Sequence, residues 1–402
     1  MNILSKAFCR TFQFAFKVAM PLLPYREPQL LYDVHNVATV LKEKEIDSVL
    51  LVTDKQLREI GATSKLEKEI AKQKINLAVF DDTRANPTVN NVEQARTLYL
   101  TNKCEAIIAF GGGSAIDCAK AVGARIAYPS KSVNKMKGLL KVLRKIPTLI
   151  AIPTTAGTGS EVTVTAVITD SEKKHKYTMN NFTFIPDYAV LDPSVTVSLP
   201  KSLTSTTGMD ALTHATEAYI GKSTTKETRK LAKESVRLIF ENIEKAYNDG
   251  TDINARANML KASYMAGIAF SKSYVGYIHA VAHSLGGEYN IPHGLANAVL
   301  MPLVLKKYGK SVHKKLHELA IVAGVSTTTD TDEQGAKKYI KAIKKLNQNM
   351  DIKNSFSEIK AEDIDKMAQH ATKEANPLYP VPVLWNKTEL TEIYKMVANG
   401  DK

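Results

Sequence analysis

Between residues 48 and 155, four short apolar runs alternate with helix-like stretches: SVLLVTD (48–54), INLAVFDD (75–82), EAIIAFGGG (105–113) and TLIAIPTT (148–155). Each run is too short for a helix, rich in aliphatic and β-branched residues, and closed by a polar or glycine turn. That is the pattern of a strand buried on both faces. Strands joined through helices pair in parallel, because each crossover returns the chain to the same end of the sheet. The alternation therefore predicts an α/β domain with a parallel, Rossmann-like sheet whose ligands sit at the C-terminal strand ends. From Lys201 onward the pattern changes. Stretches such as TKETRKLAKESVRLIFENIEKAYN (225–248) and INARANMLKASYMAGIAFS (253–271) keep helical periodicity, and β-type alternation almost disappears. The expected organisation is an N-terminal extension over 1–23, an α/β domain over 24–200 and an all-α C-terminal domain over 201–402.

A chain of 402 residues with 44% hydrophobic and 24% charged residues has enough apolar side chains for two ordinary globular cores. The three cysteines, Cys9, Cys104 and Cys118, are odd in number and scattered. That excludes a disulfide framework and points to a reducing, cytoplasmic setting. The net charge of +13 is carried by lysines spread along helical segments without interleaved aromatics. It reads as a solvated basic surface, and nucleic acid is not expected as a partner. No run approaches the ~18 consecutive apolar residues of a membrane span. At the N-terminus Ile3, Leu4, Ala7, Phe8, Phe12 and Phe16 recur at roughly helical spacing with Lys6, Arg10 and Lys17 between them. This segment lacks the uninterrupted apolar core of a signal peptide. It reads as a basic amphipathic helix ending near Met20 and Pro21, packed on the body, on a partner subunit or on a membrane surface.

AFGGGSAIDCAKAVG (109–123) follows a predicted strand and opens a helix. Gly111, Gly112 and Gly113 allow close backbone approach, Ser114 is a candidate helix cap, and the helix N-terminus favours an anion such as a pyrophosphate. Ile116 stands where a G-x-G-x-x-G fingerprint needs glycine, and no G-K-[ST] follows. By itself the turn is equally a plain tight turn. A second stretch, IPTTAGTGSEVT (152–163), adds Thr154, Thr155, Thr158 and Ser160 at another strand end, suiting a ligand with several phosphate and ribose oxygens. Asp54 closes the first strand, where a carboxylate binds ribose hydroxyls and repels a 2′-phosphate, or simply caps the next helix.

HAVAHSLGGEYNIPHG (279–294) holds His279 and His283 four apart, on one helix face, with His293 in a loop able to fold back. Upstream, TGMDALTHATEAYI places Asp210 and His214 four apart as well. Two such pairs plus a looped histidine form a metal site of one carboxylate and imidazoles, suited to Fe²⁺, Zn²⁺ or a similar ion. His35, His175, His313, His317 and His370 lie in polar, lysine-rich settings and are expected at the surface.

Together GGGSAID, IPTTAGTGSEVT, GMDALTHATEAYI and HAVAHSLGGEYNIPHGLANAVLMP resemble the iron-containing (group III) alcohol dehydrogenases, from about Pro24 to the C-terminus. The resemblance implies a dehydroquinate synthase-like α/β domain followed by a helical metal-binding domain. It implies metal ligands Asp210, His214, His279 and His293, with His283 beside the nicotinamide. It places the dinucleotide across Gly112, Gly113, Ser114, Asp117, Thr154, Thr155 and Thr158, with Asn86 and Lys176 on the cofactor side and Asp54 favouring NAD over NADP. Arg84 stands before the NPT of residues 86–88, where many members carry uncharged residues. The implied reaction interconverts a primary, short aliphatic alcohol and its aldehyde by hydride transfer. Apolar Val162, Phe270 and Tyr274 are expected near the substrate, and the assembly is expected to be a homodimer. Within the superfamily, a glycerol or polyol dehydrogenase is the competing reading; outside it, a non-catalytic nucleotide-binding protein associated with membranes.

Overall fold

The computed structural model describes residues 1–171 and 175–400, with the side chains of Pro21 and His175 outside the description. It divides into two compact units, Pro24–Leu199 and a helical unit made of Met1–Leu23 with Pro200–Lys402. The N-terminal helix α1 (Ile3–Ala19) thus belongs with the C-terminal helices.

The α/β unit carries strands β1 (Gln29–Leu31), β2 (Ser48–Val52), β3 (Asn76–Phe80), β4 (Ala106–Gly111), β5 (Gly138–Leu139), β6 (Thr148–Pro153), β7 (Thr165–Asp170), β8 (His175–Asn180) and β9 (Tyr188–Val190). Six form a parallel sheet in the order β1-β9-β6-β4-β2-β3. The crossovers include α2 (His35–Glu43), α3 (Lys55–Glu59), α4 (Ser64–Lys72), α5 (Val89–Thr101) and α6 (Gly113–Ala127). Because strand side chains alternate, the same strands feed two cores. From β4, Ile107 and Ala109 join one cluster while Ala106, Ile108 and Phe110 join the other. Every residue of β4 is buried, which is why its sequence reads as a continuous apolar run. From β2 the chain moves one way to β3, and from β4 the other way to β6. The crevice between β2 and β4 is therefore the topological switch point, where ligands of such sheets bind.

All four sequence-read strands are present, but five others are not evident in the sequence. β1 and β9 are three-residue strands at one side of the main sheet, too short to show a period. β7 and β8 pair antiparallel and take β5 along in a separate sheet, with a 3-10 turn (Val133–Met136) just before β5 and irregular chain after it.

In the helical unit follow α7 (Lys201–Ile220), α8 (Lys226–Asn248), α9 (Ile253–Ser273), α10 (Tyr277–Tyr289), α11 (His293–Tyr308), α12 (His313–Val322), α13 (Asp332–Asn349), α14 (Ala361–Ala375) and α15 (Lys387–Asn399). α8 starts at a Thr225–Thr228 capping box and presents one apolar stripe. α7 is buried nearly all round and forms the unit's centre. Among the described residues no helix is long and apolar enough to cross a membrane.

One surface expectation fails. His317 is buried on α12 because both ring nitrogens find partners, Asp332 Oδ1 at 3.1 Å and the Thr327 carbonyl at 3.0 Å.

Candidate metal centre and cofactor turn

Three helices bring one atom each from Asp210, His214, His279 and His293 within 4.8 Å of one another. α7 supplies Asp210 and His214 one turn apart on a single face, and α10 supplies His279. α10 ends at Asn290 in a left-handed conformation (φ 52°), and Ile291 and Pro292 turn the chain so that α11 begins at His293. That reversal lays the His293 ring 5.4 Å from His279 and 5.1 Å from His283. Gly294 permits it. A Cβ there would lie 2.4 Å from the Thr206 carbonyl oxygen, so only glycine lets α11 start against α7.

Asp210 Oδ1 lies 3.5 Å from His293 Nε2 and 3.8 Å from His279 Nε2. Donors about 2.1 Å from a tetrahedral divalent ion stand roughly 3.4 Å apart, so the spacing fits one ion. Burial pushes the Asp210 carboxyl up, but His214, His293, His279 and the Asn297 amide outweigh it and hold it below its ordinary value. Burial, then the charge of His214, keeps His279 well below the usual imidazole range. A charged carboxylate and a neutral imidazole are the protonation states a metal needs. Among the described residues His279 Nε2 is buried without a hydrogen-bond partner, a lone pair aimed at Asp210. Such an orphan costs free energy unless a cation satisfies it. The residues fit the ion.

Behind this set lies Glu217, which the sequence reading did not single out. Its carboxylate accepts from the backbone N–H of Gly276 (2.7 Å) and Ile278 (2.8 Å) and meets His279 Nδ1 at 2.6 Å. Burial pushes it up to about 7, opposed by those backbone N–H groups. Asp210, His214 and Glu217 stand at i, i+4 and i+7, so the shared face was a readable signal. Phe270 stacks on His214 with centroids 4.2 Å apart, as its expected place near the metal requires. Tyr274, at the end of α9, packs its ring edge-on against Phe16, 5.1 Å away.

His283 stands outside the four-atom cluster. Its Nδ1 pairs with Glu374 Oε1 at 2.6 Å, and Tyr379 donates to the same oxygen at 2.7 Å. Neither partner was foreseen, since they sit about ninety residues away in sequence with no local pattern linking them.

In the α/β unit, β4 and β6 are in register with Gly111 opposite Pro153, so the glycine turn and the threonine loop emerge side by side. Gly111 has φ +155°, and a Cβ on it would lie 2.7 Å from Ala115 Cβ and 3.9 Å from Asp54 Oδ2. Gly112 and Gly113 face Thr155 and Thr158. Thr154 is buried and its N–H donates to the Gly111 carbonyl at 3.0 Å. Asp54 caps α3 by accepting from Leu57 N at 2.9 Å with Oδ1, while Oδ2 turns toward Gly111. Both sequence readings of Asp54 are thus compatible.

Two expectations change. Ser114 does not cap α6; Gly112 holds that position, and the Ser114 hydroxyl donates to the Ala85 carbonyl at 2.5 Å. Asp117 spends its carboxylate on the protein, accepting from Ser160 Oγ in the loop (2.7 Å) and Val167 N in β7 (2.9 Å). Lys176 Nζ donates to Asn86 Oδ1 at 3.0 Å, so those two come together. Val162 is fully buried, its carbonyl taken by Tyr25.

Residues 32–193 match the family model described as iron-containing alcohol dehydrogenase, and residues 204–398 match the Fe-containing alcohol dehydrogenase family, C-terminal. The chain is 36% identical to alcohol dehydrogenase 4 of Saccharomyces cerevisiae over 366 residues, covering 90% of this chain and 94% of that one. It is 35% identical to the NAD-dependent methanol dehydrogenase of Bacillus methanolicus, over 85% and 90% of the two chains. The crystal structure of a 1,3-propanediol oxidoreductase superposes with a TM-score of 0.89 at 34% identity, covering 93% of this chain and 99% of that one. The chain belongs to the iron-containing alcohol dehydrogenase family and is an oxidoreductase, a metal-dependent alcohol dehydrogenase.

Proposed function

We propose that Asp210, His214, His279 and His293 hold one divalent ion, Fe²⁺ with Zn²⁺ as the alternative, and that the chain interconverts a short primary aliphatic alcohol and its aldehyde. The observation that carries this is the four-donor cluster, three donors buried and His293 half-buried, with a His279 Nε2 that has no hydrogen-bond partner among the described residues. A bound ion there supplies Lewis-acid polarisation of the substrate oxygen, and a nicotinamide cofactor carries the hydride. In this reading the unit Pro24–Leu199 is the dinucleotide-binding domain and the helical unit is the metal-binding domain. Gly112, Gly113, Ser114, Thr154, Thr155 and Thr158 line the cofactor's phosphates, while Asp117, Asn86 and Lys176 shape the surrounding loop. The Asp54 carboxylate beside Gly111 at the switch point favours NAD, because it repels a 2′-phosphate. The similarity to an NAD-dependent methanol dehydrogenase supports the same cofactor.

His283 holds the proton exchanged with substrate. Glu374 and Tyr379 fix its ring through Nδ1, leaving Nε2 for the relay. Phe270 against His214 supplies an apolar wall that suits an alkyl chain better than a polyol. The buried free cysteines are consistent with a cytoplasmic enzyme, and a homodimer is the proposed assembly.

NADH oxidation with butanal tests the reading. Chelation should abolish turnover, and Fe²⁺ or Zn²⁺ should restore it. NADH should exceed NADPH in kcat/KM, with Asp54→Gly closing the gap at least about tenfold. Turnover indifferent to chelation, or glycerol preferred over butanol in the reverse direction, would overturn it.

A further inference from the structure

α1 is seated on a mixed side, where buried Cys9 and the Phe16 ring against Tyr274 accompany two polar anchors. Gln13 donates to the carbonyls of Tyr379 (2.7 Å) and Pro377 (3.1 Å), and Arg10 donates to those of Val381 (2.8 Å) and Pro382 (3.0 Å). Cys9 and Gln13 are the helix's buried residues. At 3.6 residues per turn, Leu4, Phe8, Phe14 and Val18 fall on the opposite side, within about 120° of one another. They are 82%, 62%, 67% and 57% exposed. This inverts the usual arrangement, in which a surface helix turns its apolar stripe to the core. The helix is anchored through backbone carbonyls and the Phe16–Tyr274 contact, and its larger apolar face is left for something else.

Charge decides what that something is. Lys6, Arg10 and Lys17 fall within about 40° of one another, on the flank between the seated side and the apolar face. Lys17 donates to the carbonyl of exposed Lys222, bringing a further cation to that flank. The chain has no acidic residue before Glu27. Two copies paired through α1 therefore bring no counter-charge to these lysines, whereas acidic lipid headgroups do. An apolar face bordered by lysines, on a helix too short and too charged to span, is the form that lies in a bilayer interface. The net charge of +13 acts in the same direction.

We propose that the outward face of α1 docks on an anionic lipid bilayer surface, Leu4, Phe8, Phe14 and Val18 entering the headgroup boundary while Lys6 and Lys17 meet acidic headgroups. The enzyme is then a peripheral membrane protein, held by one helix that its own loop 377–382 presents.

Flotation of the metal-loaded, full-length protein with vesicles is the test. One set is phosphatidylcholine alone; in the other, about a third of the lipid is phosphatidylglycerol. The protein should float with the anionic vesicles and not with the neutral ones. Phe8→Ser with Phe14→Ser, and separately Lys6→Glu with Lys17→Glu, should each lower binding more than about tenfold. Aldehyde reduction should be unchanged in both variants, since these side chains face solvent, and that unchanged rate also reports the fold. Equal flotation on both vesicle sets, or none on either, overturns the proposal. So does a drop in solution mass of the phenylalanine variant by light scattering without vesicle binding, which makes the face a contact between copies.

Discussion

Glu217 shows how one buried carboxylate sets the state of a metal ligand. Two of its three partners are backbone N–H groups that can only donate, so both oxygens act as acceptors. With Glu217 ionised, His279 keeps its proton on Nδ1, which leaves the Nε2 lone pair facing Asp210. Glu217→Gln replaces one acceptor with an amide NH₂ that confronts either Gly276 or Ile278, and the imidazole loses its fixed tautomer. The metal dissociation constant should rise roughly 10- to 100-fold, read by competition with a chromogenic chelator on the apoprotein. Glu217→Asp keeps the charge but falls short by one methylene, and should lie between wild type and Gln. An unchanged constant in the Gln variant would reduce Glu217 to a packing residue of α7.

How far an element could be read from the sequence follows from where its partners lie. β2, β4 and β6 were legible because burial makes each an apolar run bounded by turns, and edge strand β3, buried at only two of five positions, still reads as a short apolar run. β7, with alternating burial and three threonine or aspartate positions in six, looks like a polar loop until β8 pairs with it. The Asp210–His214 and His279–His283 pairs were legible because helical period alone creates them. Glu374 and Tyr379 were not, because only the packing of α14 and the following loop against α10 brings them to His283. The loop after β6 is a further case. Fully buried Lys120 reaches across from α6 to Ser160 and Thr163, donating to oxygens 2.7 to 3.1 Å away, and to the Thr165 carbonyl at 2.8 Å. Next to it burial pushes Glu161 up to about 7 from an ordinary 4.5. Unfolded, that carboxyl ionises near pH 4.5; folded, it stays neutral to about 7. The unfolded state therefore sheds the proton first, and Glu161 withdraws stability as pH rises between those values, with no further loss above. Glu161→Gln should thus gain about 2 kcal/mol more over wild type at pH 8 than at pH 5, measured by denaturant unfolding. A gain independent of pH would show that Glu161 is ionised in the fold.

At the scale of the whole molecule, the two kinds of ligand are assigned to different compact units. Every proposed metal donor lies in the helical unit, between Asp210 and His293, and every proposed cofactor residue lies in Pro24–Leu199. A ligand that binds only the folded site adds RT ln(1 + [L]/Kd) to each opening that breaks that site, about 2.7 kcal/mol at a hundred times Kd, and nothing to openings that spare it. Hydrogen exchange on the full-length protein separates the two. Fe²⁺ or Zn²⁺ alone should slow amides of α7, α10 and the first turn of α11, by up to about 100-fold where opening scatters the donors. NADH alone should slow the β4–α6 turn and residues 152–163. In Glu217→Gln the metal-linked protection should shrink while NADH-linked protection stays, because the Glu217 carboxylate bonds to Gly276, Ile278 and His279 of the helical unit. Metal-linked protection appearing in the β4–α6 turn, with α7 and α10 unaffected, would place the ion elsewhere and refute the four assigned donors.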